Sequence, residues 1–332
     1  MKILTGVTAL LLAASGLVAP TAATATPLST NSHRTTHAAA TVTEYALPPG
    51  AEAPFGISRG PAGSIWFGAG DYVGRVSNHG GVITYRLPTK DAAVGWLTRG
   101  PDGAVWFAER GGNKIGRVDE RGRITEITLP TPVSTPQAIV FDRQGRLWYT
   151  ASEVGKLGRI DRSGTITEFP VPTPDALPLG MVLGPDNALW FTERSAEKIG
   201  RFDLATKRFT EYPLATGANP QRIVLGRDGA LWFSEFLPSK IGRITATGQL
   251  TEYPVPSQPV GITSDRHGLW YAGYNTARIG RVGYDGTVQA EYQVPTPGSR
   301  PIQITVGRGR TAGVWVTEQG ANRIARLQLG QR

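Results

Sequence analysis

The chain has 332 residues, 35 Lys and Arg against 26 Asp and Glu, a formal charge of +9, and no cysteine. Without thiols there are no disulfides and no thiolate metal sites, so core packing or chain closure must hold an exported fold together. The basic balance favours anionic partners such as wall polymers or lipid headgroups, while the lack of a basic run or an aromatic-plus-basic motif excludes a dedicated nucleic-acid binder.

In chain order, Met1 and Lys2 form a short positive region, Ile3 to Val18 is largely apolar, and Ala23-Thr24-Ala25 offers an A-x-A cleavage site. This is a signal-peptide pattern, which predicts export, cleavage near Ala25 and a mature charge of +8 once Lys2 is lost (9 − 1 = 8). The apolar run is too short and interrupted for a membrane span, which needs about 20 apolar residues. Residues 26–40 are Ser, Thr, Ala and His without periodicity and read as a flexible linker, leaving 41–332 as a single domain.

Thr41 to Pro48, "TVTEYALP", is strand-like and stands alone. After it the chain repeats itself: Trp66, Trp106, Trp148, Trp190, Trp232, Trp270 and Trp315 recur at spacings of 40, 42, 42, 42, 38 and 45 residues, with Trp96 outside the series. Around each Trp come an apolar run opened by Pro or its equivalent ("PLGMVL"), the Trp run, a run ending near Gly-Arg, and a "TEYPVP" run. Each is short, rich in β-branched and aromatic types and bounded by turn residues. "GPAG", "GPDG" and "GPDN" suit type I turns between strands one and two.

Four short strands per unit of about 40 residues make a propeller blade. The last unit has strands at Pro301–Val306, Val314–Glu318 and Arg323–Gln328 and then stops, whereas Thr41–Pro48 is a fourth strand with no blade before it. Pairing the two predicts an all-β, seven-bladed β-propeller of four-stranded blades, closed by the N-terminal strand. The periodic Trp residues are then buried middle-strand side chains packed on the neighbouring blade. The repeated Arg75, Arg117, Arg159, Arg201, Arg243, Arg281 and Arg326 are candidate partners for Glu109, Glu193, Glu235 and Glu318 at the end of strand two, although Ala69, Ala151 and Gly273 break the rule in three blades.

The phrases "GPDGAVWFAERGGNKIGRVDERGRITEITLPTP" (100–132) and "LWFTERSAEKIGRFD" (189–203) resemble the virginiamycin B lyase, or streptogramin lyase, family over about residues 41–328. The resemblance implies a seven-bladed propeller that opens the ester link of a cyclic depsipeptide by elimination, using Mg²⁺ and a His general base. It places His residues just after the Pro that opens strand one of blades six and seven, with Glu residues nearby. Here those positions read "QPVGI", with Val260, and "SRPIQI", with Arg300 for Glu and Ile302 for His; Glu318 alone lies near an acidic metal-ligand position. His79 and His267 fall in turns on the opposite face, and His33 and His37 in the linker.

At the end of the channel where strand one begins, the sequence places Phe55, Gly95, Gln137, Leu179, Gln221, Val260 and Ile302, and one step further Trp96, Arg222 and Gln303. Phe55, Trp96, Gln137, Gln221, Arg222, Arg300 and Gln303 are therefore the binding candidates, for a small molecule or peptide held by stacking and hydrogen bonds. A channel merely filled by these side chains is the alternative. Two functions compete: a secreted, monomeric binding protein with no cofactor, and a Mg²⁺-dependent C–O lyase with relocated catalytic groups.

No G-x-S-x-G, H-E-x-x-H, P-loop or calcium loop points elsewhere. A second charged feature is Arg59, Arg99, Arg143, Arg227, Arg266, Arg308 and Arg310, in or beside the turns between strands one and two. This face is a candidate contact for an anionic cell wall, its field diluted by Asp102, Asp142, Asp186, Asp228 and Asp265.

Overall fold

The computed structural model describes residues 21–25, 40–77 and 81–330. The assigned leader up to residue 20, linker residues 26–39 with His33 and His37, and His79 lie outside the described residues. The ring is all-β, with seven sheets of which six have four antiparallel strands. Blade four is representative, with Pro178–Leu183 innermost, then Ala188–Glu193, Lys198–Asp203 and Phe209–Pro213 at the rim. The second strand is buried at every residue, whereas every residue of the rim strand is half-buried or exposed, as befits a half-solvated edge.

Closure follows the expected route. Ala40–Ala46 pairs antiparallel with Arg323–Gln328, from Thr41 opposite Gln328 to Ala46 opposite Arg323, and so forms the rim of the last blade. That blade carries one strand more, because Thr21–Ala25 pairs with Ala40–Ala46. The sequence reading leaves residues up to 25 out of the fold. Here the unpaired edge of a rim strand has taken up five of them.

Six of the periodic tryptophans are at most 1% exposed, and Trp106 is partly buried. Trp66 packs with Val94, Leu97 and Phe107 of the next blade, and Trp315 with Ile57 and Phe67 across the closure. Within a blade the rim aromatic of the "TEYP" phrase stacks on the indole, as in Trp190–Tyr212 at 5.5 Å. Each buried indole N–H needs an acceptor. It is the Asp of the preceding turn in Trp148–Asp142, Trp190–Asp186, Trp232–Asp228 and Trp270–Asp265, at 2.8 to 3.1 Å.

This arrangement corrects the expected Arg–Glu pairing. Trp106 is in register with Arg117, whose guanidinium lies 5.9 Å from the indole and pairs with Asp102 at 2.6 Å. Glu109 is instead in register with Lys114. The basic residue opening strand three pairs with the glutamate of the rim strand, in Lys114–Glu126, Lys156–Glu168, Lys198–Glu211, Lys240–Glu252, Arg278–Glu291 and Arg323–Glu44. In most blades that glutamate also accepts from a hydroxyl at the end of the preceding blade, as Thr89 to Glu126 and Thr173 to Glu211, both 2.7 Å. Thr296 reaches Glu44 in the same way at 2.8 Å, so the N-terminal strand carries the latch as well as the strand pairing.

Candidate functional site

The innermost strands line the channel, and at the end where they begin they surround a cavity of about 280 Å³. The ring expected from the sequence is assembled there. Phe55, Trp96, Gln137, Gln221, Val260 and Ile302 all line it, together with Leu179 and Gln303. Every inner strand carries a register shift just after its opening residue, as between Val94 and Leu97. The bulge directs consecutive residues, such as Ile302 and Gln303, toward the same cavity.

Besides Asn219, four lining residues escape the sequence reading: Arg110, Arg194, Phe236 and Tyr274. Each directly follows the end of strand two, and each donates its backbone N–H to the residue before an inner strand: Arg110 to Ala93, Arg194 to Leu177, Phe236 to Asn219 and Tyr274 to Gln258, at 3.0 to 3.3 Å. That contact carries their side chains to the mouth. The readable signal was the position after the strand-two glutamate, which varies where the glutamate recurs. Three of these acceptors, Ala93, Leu177 and Asn219, and the residues preceding the inner strands of three other blades, Ala53, Thr135 and Arg300, have φ of 46 to 49°, a region costly for residues with a Cβ.

Trp96 crosses the channel. Its ring clusters with Leu179 and Met181 of blade four, lies 4.6 Å from the Arg222 guanidinium of blade five, and is 3% exposed. Burial lowers the Arg222 side chain to about 10, and it stays cationic at neutral pH. Arg222 and Arg300 do not line the cavity, and each lies beside a residue that does, Trp96 and Tyr274. Arg110 lies 4.3 Å from the Phe55 ring and holds the Ala93 carbonyl through Nε at 3.1 Å. Among the buried side-chain polar atoms of the lining, Trp96 Nε1 and Gln137 Oε1 have no hydrogen-bond partner among the described residues.

Glu318, the candidate metal ligand, does not line the cavity. It is fully buried with Glu109, Glu193 and Glu235; the Thr89 and Ser299 hydroxyls lie beside Glu109 and Glu318, and the carboxyl oxygens of Glu193 and Glu235 have no partner among the described residues. Burial first, and the neighbouring rim glutamate second, push these carboxyls up to about 7 in Glu109 and Glu235 and about 8 in Glu193 and Glu318. In two of the three blades without them, Tyr149 and Tyr271 reach the rim Glu168 and Glu291 through their hydroxyls. The four glutamates are thus part of the blade interior.

A closed ring of seven sheets with a cavity at one channel mouth defines a seven-bladed β-propeller. The Virginiamycin B lyase family profile matches residues 28–174 and 132–332, and the chain belongs to that family. Streptogramin B lyase has a similar structure (TM-score 0.82, 36% identity, 88% of this chain and 98% of that one). Virginiamycin B lyase from Staphylococcus aureus, as its selenomethionine form, matches at TM-score 0.82 and 34% identity over 88% of this chain and all of that one. A catalytically inactive variant of that enzyme with quinupristin gives 0.82 and 33% over the same shares. No match was found among curated proteins.

Proposed function

We propose that this chain is a secreted, monomeric propeller of the virginiamycin B lyase family that binds a small-molecule or peptide ligand at the channel mouth without the family's elimination chemistry. The free indole donor of Trp96 and the free amide acceptor of Gln137 carry this reading, because they share one lining with the flat faces of Phe55, Phe236 and Tyr274. Such a lining suits a planar or aromatic ligand bearing amide groups. Among the described histidines is only His267, and its Nε2 accepts from Arg266 Nε at 2.6 Å in a turn far from the mouth.

The family resemblance implies Mg²⁺, a hard cation that takes oxygen ligands. Val260 and Ile302 offer none, Arg300 is cationic, and Glu318 is fully buried with its proton favoured by desolvation. No group of three or more His, Asp or Glu comes together among the described residues. The residues present do not fit the ion. Losing a general base alone removes about 10²- to 10⁴-fold of rate.

The test is incubation with a streptogramin B depsipeptide and Mg²⁺, read by mass spectrometry for the linear product and by tryptophan fluorescence for binding. Intact depsipeptide is expected, with a fluorescence change weakened in Gln137→Ala and in Trp96→Ala. Mg²⁺-dependent ring opening at a typical enzymatic turnover would overturn the reading in favour of a C–O lyase. No fluorescence change at saturating depsipeptide would exclude this ligand class.

A further inference from the structure

The inner strands that open at the mouth end, on the other side of the ring, in a cluster of arginines. Arg59 and Arg99 close the inner strands of blades one and two, and Arg227 and Arg308 stand just beyond those of blades five and seven. All four are exposed, and none has an ion pair or a side-chain hydrogen bond among the described residues. Arg59, Arg99 and Arg308 line one cavity of about 400 Å³ with the hydroxyl residues Ser58, Thr98 and Thr305. Arg59, Arg227 and Arg308 line an adjoining, wider one of about 1420 Å³. Burial, then Arg308, Arg227 and Arg99, hold the Arg59 side chain below its ordinary value, so the four charges converge on one space.

The sequence alone suggested that aspartates in the same turns would dilute this field. They are engaged elsewhere. Asp102, Asp186 and Asp228 accept from an indole N–H and pair with strand-three arginines, while Asp142 accepts from Trp148 and pairs with Arg146. Asp265, which lines the wider cavity, accepts from Trp270 Nε1 and the His267 N–H. Two other turn arginines differ from the four: Arg266 lines the wider cavity but donates from Nε to His267 at 2.6 Å, and Arg143 donates to the Pro185 carbonyl at 3.4 Å and lines neither cavity.

We propose that the collar of Arg59, Arg99, Arg227 and Arg308 is an anion site for a compact run of phosphoryl groups, separate from the pocket at the opposite mouth. Guanidinium groups bind phosphoryl oxygens as planar, two-pronged donors. Four unpaired cations around one funnel call for several negative charges at close spacing, and the wider cavity exceeds one phosphate. The phosphoryl run is either a free oligophosphate or part of a phosphate-bearing polymer, and the two arms of the test separate these sources.

The experiment titrates the full mature chain with sodium tripolyphosphate by calorimetry at low and high salt, then repeats the titration with a poly(glycerol phosphate) chain. Saturable tripolyphosphate binding is expected, weakened roughly tenfold by Arg59→Gln and by Arg308→Gln and left unchanged by Arg143→Gln. High salt should weaken it further. A polymer that competes with tripolyphosphate assigns a phosphate-bearing chain, and one that does not assigns a free oligophosphate. Equal losses in Arg59→Gln and Arg143→Gln would reduce the effect to diffuse surface charge and overturn the site, as would no binding at low salt. An oligonucleotide binding more tightly than either probe would overturn it in favour of nucleic acid. Because the Arg59 and Arg308 guanidinium groups make no ion pair or hydrogen bond among the described residues, unchanged or raised melting temperatures in the variants exclude misfolding as the cause.

Discussion

The buried glutamates are where single residues set a property of the whole. Glu193 has a raised carboxyl at about 8, whereas Glu211 beside it is lowered despite its burial by Lys198 and Thr173. Two like charges cannot both ionise cheaply there, so the proton rests on the inner member. In the unfolded chain Glu193 titrates near 4.5, so between that pH and about 8 the folded state holds a proton the unfolded state has released. Stability contributed by this group is therefore complete below pH 4.5 and is lost as pH rises toward 8, at up to about 1.4 kcal/mol per pH unit. Carboxylates with lowered values, such as Asp102 and Glu211, act oppositely and lose their contribution as pH falls. A mildly acidic stability maximum follows. Glu193→Gln should gain stability relative to the parent at pH 8 compared with pH 5, read from urea midpoints at both; an equal difference at both pH values would contradict the assignment.

At the scale of the element, a blade solves one packing problem in two ways. In blades two, four and five a Phe on strand two is followed two residues later by a buried Glu; in blades three and six a Tyr is followed by Ala151 or Gly273. Both solutions put an oxygen beside the strand-three glycine. A Cβ at Gly200 would meet Glu193 Oε1 at 2.6 Å, and one at Gly158 would meet the Tyr149 hydroxyl at 2.3 Å. The two arrangements should be exchangeable as a unit. Tyr149→Phe removes the hydroxyl that donates to Glu168 at 3.2 Å and is expected to cost about 1 to 2 kcal/mol. Ala151→Glu alone crowds Tyr149 and should also destabilise. The double variant is expected to recover part of the loss, visible as a favourable coupling in a double-mutant cycle; simple additivity would refute the exchange.

For the whole molecule, stability depends on joining the ends of a chain without disulfides. Ala40–Ala46 supplies six register pairs to the last blade, and Glu44 accepts from Thr296 and Arg323. Among the described residues, truncation of 1–39 removes only the additional edge strand, and it should lower the melting temperature slightly. Truncation of 1–48 removes the rim strand and the latch and leaves Arg323–Gln328 as an open edge, with an expected loss of several kcal/mol. Equal melting of the two truncations would contradict closure by this strand.

Much of this protein was legible in its sequence because its local rules repeat. Tryptophan spacing, the Pro-opened runs and the surplus "TVTEYALP" gave blade number, strand order and closure, since each blade folds on short-range pattern and stacks on a near-copy of itself. The same periodicity placed Phe55, Gln137, Gln221 and Ile302 around one mouth. Tertiary structure alone decided which charges pair. Arg117 faces a tryptophan and an aspartate rather than Glu109, because register puts Lys114 opposite that glutamate. Only the closed ring shows that Trp96 spans the channel to Arg222, that Arg110 and Tyr274 join the mouth, and that the turn aspartates are taken while four arginines are not. Contacts across a ring join residues more than a hundred positions apart, and no local pattern encodes them.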